Sequence, residues 1–337
     1  MSPVLRFLIR RIGFFALTFV VFTLVIFTLP RAIPGNPLST LLSQLFQQAQ
    51  ANPELIRAVY KRLMDEFGVG KPLHEQFLIF ISRTLKGDLG TSIAFYPRKV
   101  ADIVFAYLPW SLGLLIPAVL TSWIIGNMLG ALAGYKRTTA LDNAMLPAFL
   151  TLSQTPYYWL AMIFLYIFAV NLGWLPIGGA YSSGRIPKLT LDFIVDMLRH
   201  YVLPYLSILL SSMGGWAIGM RSMVIYELGS DYVDYADSLG LSDSKILRYV
   251  FKNSMLPQVT GLALNFGSIL GGSLITELVF NYPGTGFLLF RAISTLDYPL
   301  IQGVFMLLIS TLLLANLIVD FVYAYIDPRI RTGYIGE

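Results

Sequence analysis

Residues Asp231 to Pro257 read DYVDYADSLGLSDSKILRYVFKNSMLP. This polar stretch links two runs without charge, His200–Met220 and Asn253–Thr276. Each run comes close to or exceeds the ~20 residues that cross a bilayer. A few turn residues would suffice to join them, yet the stretch carries two short helical patterns. In the first, Tyr232, Tyr235, Ala236 and Leu239 recur at i, i+3, i+4 and i+7, which makes one apolar face. Asp231 is placed to cap this helix, and Asp234 to face its N-terminal amides. Gly240, followed by Leu241, permits the left-handed turn that ends a helix. Ser242 is placed to cap the second helix. Its Lys245, Arg248 and Lys252 form a basic flank, and its Ile246, Tyr249 and Val250 an apolar one. Leu256–Pro257 reads as the stop of that helix and the opening of the next apolar one. A short helix with an aromatic-aliphatic face outside the bilayer must bury that face. A groove on another protein, the membrane interface and its own bundle are all open at this point. The basic flank alone is explained by anionic headgroups.

Composition fits this membrane setting. Of 337 residues, 56% are hydrophobic and 13% charged, the latter about half the share of a soluble domain. Mean hydropathy is +0.67. A soluble chain of this size would need more charge to cover its surface, so the class is all-α integral membrane protein. The chain holds no cysteine, which excludes a disulfide framework and thiolate metal ligation.

Six charge-free runs mark the expected spans: Ile12–Leu29, Ile103–Tyr135, Asn143–Gly184, His200–Met220, Asn253–Thr276 and Tyr298–Val319. Arg6, Arg10 and Arg11 precede the first, as before a signal peptide. The run is longer than a signal core and lacks a small-residue cleavage site, so it reads as a retained helix. The second run holds Pro109 and Pro117, and its helix is expected to start inside the run. The third is read as one helix ending near Val170, followed by a Gly/Ser turn. Placing the N-terminus inside puts Arg6, Arg10, Arg11, Lys136, Arg137, Arg221, Lys245, Arg248, Lys252, Arg329 and Arg331 on the cytoplasmic side. Only Arg185, Lys188, Arg199 and Arg291 fall in short outer loops, which satisfies the positive-inside bias. The division is then an N-terminal membrane helix in 1–30, an extracytoplasmic helical subdomain in 31–102 and a transmembrane core in 103–330. The core carries the loop 231–257, and 331–337 is a cytoplasmic tail. Within 31–102, Leu55–Phe67 and Leu73–Leu85 carry helical patterns, with a turn at Lys86–Gly90. This subdomain either meets an outer partner or simply caps the bundle.

Resemblance to a known family enters through several stretches. Asp234-Tyr235-Ala236, then Gly240, then Leu256-Pro257 resembles the EAA motif of ABC importer permeases, with Asp-Tyr-Ala in place of Glu-Ala-Ala. The distance from glycine to Leu-Pro is similar to that of the oligopeptide/dipeptide/nickel permease family. LRFLIRRIGFFALTFVVFTLVIFTLPRAIPGNPL, LKGDLGTSIAFYPRKVADIV, ELVFNYPGTGFLLFRAISTLDYPLIQG and NLIVDFVYAYIDPRIR resemble further stretches of that family, in order, over nearly the whole chain. The resemblance implies a permease subunit of a prokaryotic plasma membrane importer. It implies a second homologous permease subunit, two cytoplasmic ATPases that bind ATP and Mg, and an extracytoplasmic solute-binding protein. The helix at Asp234–Leu241 would then sit in a groove of one ATPase and move with it, with Tyr232, Asp234, Tyr235, Ala236, Leu239, Gly240, Leu241, Leu256 and Pro257 as the coupling set. The expected solute is a short peptide, with an oligosaccharide as the alternative.

Other chemistry finds little support. Gly68-Val69-Gly70-Lys71-Pro72 lacks the first glycine and the Ser/Thr of a phosphate loop. His74 and His200 match no zinc spacing. No catalytic residue, metal site, cofactor or nucleic-acid partner is expected in this chain. Polar residues within the runs are candidates to line a pathway or to bond between helices: Asn127, Ser153, Gln154, Ser211, Ser212, Asn265 and Glu277. A secondary transporter or channel would show paired intramembrane charges, and few are present. A membrane scaffold would show no solute flux.

Overall fold

The computed structural model describes residues 3–32, 71–268 and 274–326, and positions 54, 58, 60, 61 and 64. The Leu55–Phe67 helix expected from the sequence falls largely outside these residues. The described residues form helices and no strand. In order these are α1 (Pro3–Ala32), α2 (Leu73–Leu85), α3 (Val100–Tyr135), α4 (Ala140–Gln154) and α5 (Tyr157–Phe164). They continue with α6 (Leu191–Leu228), α7 (Asp231–Ser238), α8 (Asp243–Ser268), α9 (Leu274–Val279), α10 (Thr285–Ser294) and α11 (Tyr298–Ile326). Three are long and apolar enough to cross a bilayer, at Ile9–Ala32, Val100–Tyr135 and Leu191–Glu227; Tyr157–Asn171, Thr285–Ser294 and Tyr298–Leu314 are shorter apolar helices.

The chain divides into two compact units, Met1–Pro109 with Gly284–Glu337, and Trp110–Pro283. In the first, α1 packs on α2 and α11, and α10 packs on α11. The turn between α10 and α11 is organised by Asp297, which is wholly buried. Its Oδ2 accepts from Ser92 Oγ at 2.5 Å and from Ala94 N at 2.9 Å, and its Oδ1 from Leu300 N at 3.1 Å. One carboxylate thus caps α11 and holds the segment after Gly-Asp-Leu-Gly. Burial raises the Asp297 carboxyl above its ordinary value despite these bonds.

In the second unit, α6 is the spine. Gly126, Gly130 and Gly134 of α3, four residues apart, meet Met213, Ala217 and Arg221 of α6. A Cβ on Gly126 would lie 2.8 Å from the Met213 carbonyl oxygen, and one on Gly134 2.8 Å from that of Arg221. Small residues at this period bring two membrane helices into backbone contact. Gly214 of α6 serves α4 likewise, since its Cβ would lie 2.6 Å from Phe149 O.

Several boundaries differ from the sequence expectation. The helix in the second run begins at Val100, before the run, and passes through both prolines. The helix expected to end near Val170 is broken at Thr155–Pro156 into α4 and α5, and finishes as a π-helical turn, Leu165–Asn171. The freed Thr155 carbonyl accepts from Ser211 Oγ at 2.7 Å. Finally, α8 runs on to Ser268 with Pro257 inside it, so Leu256–Pro257 does not stop a helix.

Candidate functional site: the mounted helix between α6 and α8

The helix α7 is short because its ends are fixed locally. Ser230, not Asp231, occupies its N-cap position, and the Ser230 hydroxyl donates to Glu227 O at 2.5 Å. Asp231 and Asp234 fall in the first turn, where carboxylates suit the positive end of the helix. At the other end Gly240 has φ +69°. Gly240 N donates to Asp237 O at 2.8 Å and Leu241 N to Ala236 O at 3.2 Å. These bonds form a Schellman motif, which consumes carbonyls that would otherwise be orphaned.

The expected single apolar face proves to be two. Val233 and Ala236 are buried with Ile246 and Val250 of α8 and Met220 and Val224 of α6; Tyr232 and Leu241 pack against this cluster. Burying Val233 and Ile246 is worth about 1.5–3 kcal/mol each. Tyr232 Oη also donates to Glu227 Oε2 at 2.8 Å. Burial, followed by that bond, raises the Tyr232 phenol above its ordinary value. Tyr235 and Leu239, by contrast, are 68% and 62% exposed. Tyr249 is exposed as well, while Ile246 and Val250 of its expected flank are buried. Lys245, Arg248 and Lys252 are exposed, as are Asp234, Gly240, Leu256 and Pro257. The helix is therefore fixed to α6 and α8 by one side and presents two large apolar side chains on the other.

An ion pair that the sequence reading missed lies in the same unit. Arg221 Nε and Nη2 of α6 donate to Asp142 Oδ1 and Oδ2 of α4 at 2.7 and 2.8 Å. Thr138 N adds a third bond to Asp142 at 3.1 Å. The bidentate geometry fixes the angle between the two helices as well as their distance. A signal was available: Asp142 and Arg221 are opposite charges that bound two charge-free runs at the same expected side of the bilayer.

The candidate pathway residues are not gathered together. Gln154 and Asn265 are exposed and Ser212 is half-buried. Ser211 is spent on the Thr155 carbonyl. Glu277 of α9 is 0% exposed and accepts from Ser111 Oγ at 2.7 Å. Among the described residues no group of His, Asp and Glu is arranged to hold a metal ion.

Apolar helices of membrane-crossing length, joined by backbone contacts at glycine, define a multi-pass membrane protein. Residues 126–332 match the family described as binding-protein-dependent transport system inner membrane component, and the chain belongs to that family. It is 30% identical to a dipeptide transport system permease protein of Alkalihalophilus pseudofirmus, over 97% of this chain and 99% of that one. It is 29% identical to a di/tripeptide transport system permease protein of Pseudomonas aeruginosa, over 97% of this chain and 99% of the relative. A glutathione transport system permease protein of Salmonella choleraesuis is 32% identical, again over 97% and 99%.

Proposed function

We propose that this chain forms half of the membrane pathway of an ATP-driven importer of short peptides. The carrying observation is α7, fixed to its own unit through Val233, Ala236 and Tyr232 while Tyr235 and Leu239 remain open. Two apolar side chains held on a rigid helix suit a groove on a partner, and rigidity is what a lever requires. The partner would be a cytoplasmic ATPase subunit, which supplies the ATP and Mg chemistry. A second permease subunit would complete the pathway and an extracytoplasmic binding protein would deliver the solute. Relatives named for dipeptide, di/tripeptide and glutathione transport favour a peptide over an oligosaccharide. In this reading the chain crosses six times, through α1, α3, α4–α5, α6, α8–α9 and α11. Both termini and α7 lie in the cytoplasm, and residues 31–102 lie outside.

Replacing Tyr235 and Leu239 together with alanine tests this, because neither supports the fold. Loss of two central contacts should weaken ATPase association by about 2–4 kcal/mol, roughly 30-fold to 1,000-fold. Dipeptide uptake in vesicles should fall with it. Unchanged association and uptake would refute the coupling role. Uptake competed by oligosaccharides but not by di- and tripeptides would refute the solute.

A further inference from the structure

A second face of the same unit carries chemistry that the coupling helix does not explain. Pro117 sits inside α3 and has no N–H, so the carbonyl of Gly113, four residues earlier, loses its helical partner. Tyr201 Oη of α6 donates to that carbonyl at 3.0 Å. Two turns along α3 and one along α6, Thr121 Oγ1 and Tyr205 Oη are 2.6 Å apart. The single Thr121 hydroxyl hydrogen goes to the Pro117 carbonyl, so the Tyr205 hydroxyl is the donor between those two oxygens. The Tyr201 and Tyr205 rings stack at 5.2 Å. All the hydroxyl hydrogens on this face are therefore turned inward. Lone pairs remain on both phenol oxygens, and these can only accept.

The face is also open. Tyr201, Tyr205 and Thr121 are half-buried, and Gly113 and Pro117 are exposed. A Cβ added at Gly113 would meet no atom within 4 Å. Hydroxyl oxygens at the central turns of a membrane helix are costly against lipid. Elsewhere on the unit, Met128, Met162, Ile163 and Ile167 offer exposed side chains without hydrogen-bonding groups, which suit lipid. The Tyr201–Tyr205 face does not.

We propose that Gly113, Pro117, Thr121, Tyr201 and Tyr205 line the solute pathway and contact the peptide backbone. This inference rests on the peptide-import reading above. Acceptor oxygens suit the amide N–H groups that every peptide carries. The stacked rings add an apolar surface, and none of the five residues is charged. Contact of this kind does not depend on which side chains the peptide bears. The open space at Gly113 leaves room for the peptide.

The absence of native cysteine makes the test direct. The whole complex is reconstituted in vesicles with Gly113→Cys, and labelling of this chain by a charged, water-soluble thiosulfonate reagent is followed. The open space at Gly113 accommodates the new side chain. Gly113→Cys should be labelled, and trialanine delivered by the binding protein during ATP turnover should slow labelling severalfold. Ile163→Cys, exposed but lipid-suited, should stay unlabelled. In a second variant, Tyr205→Phe keeps the ring and removes an acceptor; trialanine uptake should fall severalfold while ATPase association is unchanged. An unreactive Gly113→Cys would overturn the proposal and assign the face to lipid or to contact with another permease subunit, and labelling indifferent to trialanine would overturn it by showing a water-accessible face that the peptide does not touch. Uptake of trialanine by the unsubstituted complex is measured in parallel. If it is absent, the peptide reading itself fails; if it is present without protection, only this face is excluded.

Discussion

Replacing Gly130 with alanine adds one methyl group where α3 meets α6. The new Cβ would lie 2.9 Å from both the carbonyl carbon and the Cα of Ala217, and closer still to its oxygen. Those atoms are backbone and have no rotamer through which to retreat, so the helices must part. Overpacking of this kind costs about 1–3 kcal/mol. Alanine also improves helix propensity over glycine by about 1 kcal/mol, which partly offsets the cost. Gly113→Ala isolates that offset, because it gains the propensity in the same helix and meets open space. The difference between the two variants is thus the overpacking alone. At ~2–4 °C per kcal/mol it separates their midpoints by roughly 2–12 °C, with Gly130→Ala the lower. The assay is thermal loss of soluble, detergent-purified complex at one fixed scan rate, since such unfolding is irreversible. Coincident midpoints would refute the backbone contact between α3 and α6.

Two further outcomes follow from charges. Arg221→Ala leaves the Asp142 carboxylate, 4% exposed, without its guanidinium, and should destabilise by about 3–5 kcal/mol. The double variant with Asp142→Ala should recover part of that loss, and a cycle of thermal midpoints reads the coupling. Asp88 behaves differently. Desolvation raises its carboxyl, but the Arg83 side chain and the Gly90 amide outweigh this, and the net direction is down from 3.8. A carboxyl lowered in the fold contributes stability above its unfolded value, and that contribution is lost as pH falls through the folded value. The midpoint difference between the native chain and Asp88→Asn should therefore be largest at pH 7 and shrink as the pH drops below about 4. A difference independent of pH would refute the pairing.

The apolar runs were legible because lipid demands them, and their ends were not. The run His200–Met220 grows into α6, Leu191–Leu228, because its flanking charges are satisfied locally. Asp196 accepts from Ser182, Arg199 donates to the Trp174 carbonyl and Arg221 pairs with Asp142. A charge count cannot see such partners. Prolines misled in both directions. Pro117 reads as a helix boundary, yet Tyr201, 84 positions after it in sequence, satisfies the carbonyl it frees. Pro156 sits in a run with no charge to mark a break, and the break occurs. In α7 Gly240 adopts the expected left-handed turn, but the i, i+3, i+4, i+7 set does not form one buried face. Period alone could not say that Ala236 turns inward while Tyr235, its neighbour, turns outward, because both are apolar. The spacing of Gly126, Gly130 and Gly134 was visible and unread, as was the pairing of Asp142 with Arg221.

The carboxylate of Asp297 also joins stretches of the chain that are synthesised far apart in time. Ser92, which it binds, is 205 positions earlier in the chain. Thr23 of α1 meets Met306 of α11 across 283 positions. The unit Trp110–Pro283 lies wholly between these contacts. At ~5–20 residues per second of synthesis, Ser92 waits about 10–40 s for its partner. The inner unit is complete in sequence at Pro283, only 14 positions before Asp297 is made. The bond that closes the stretch around Ser92 therefore cannot form until the residues of the inner unit have all been made.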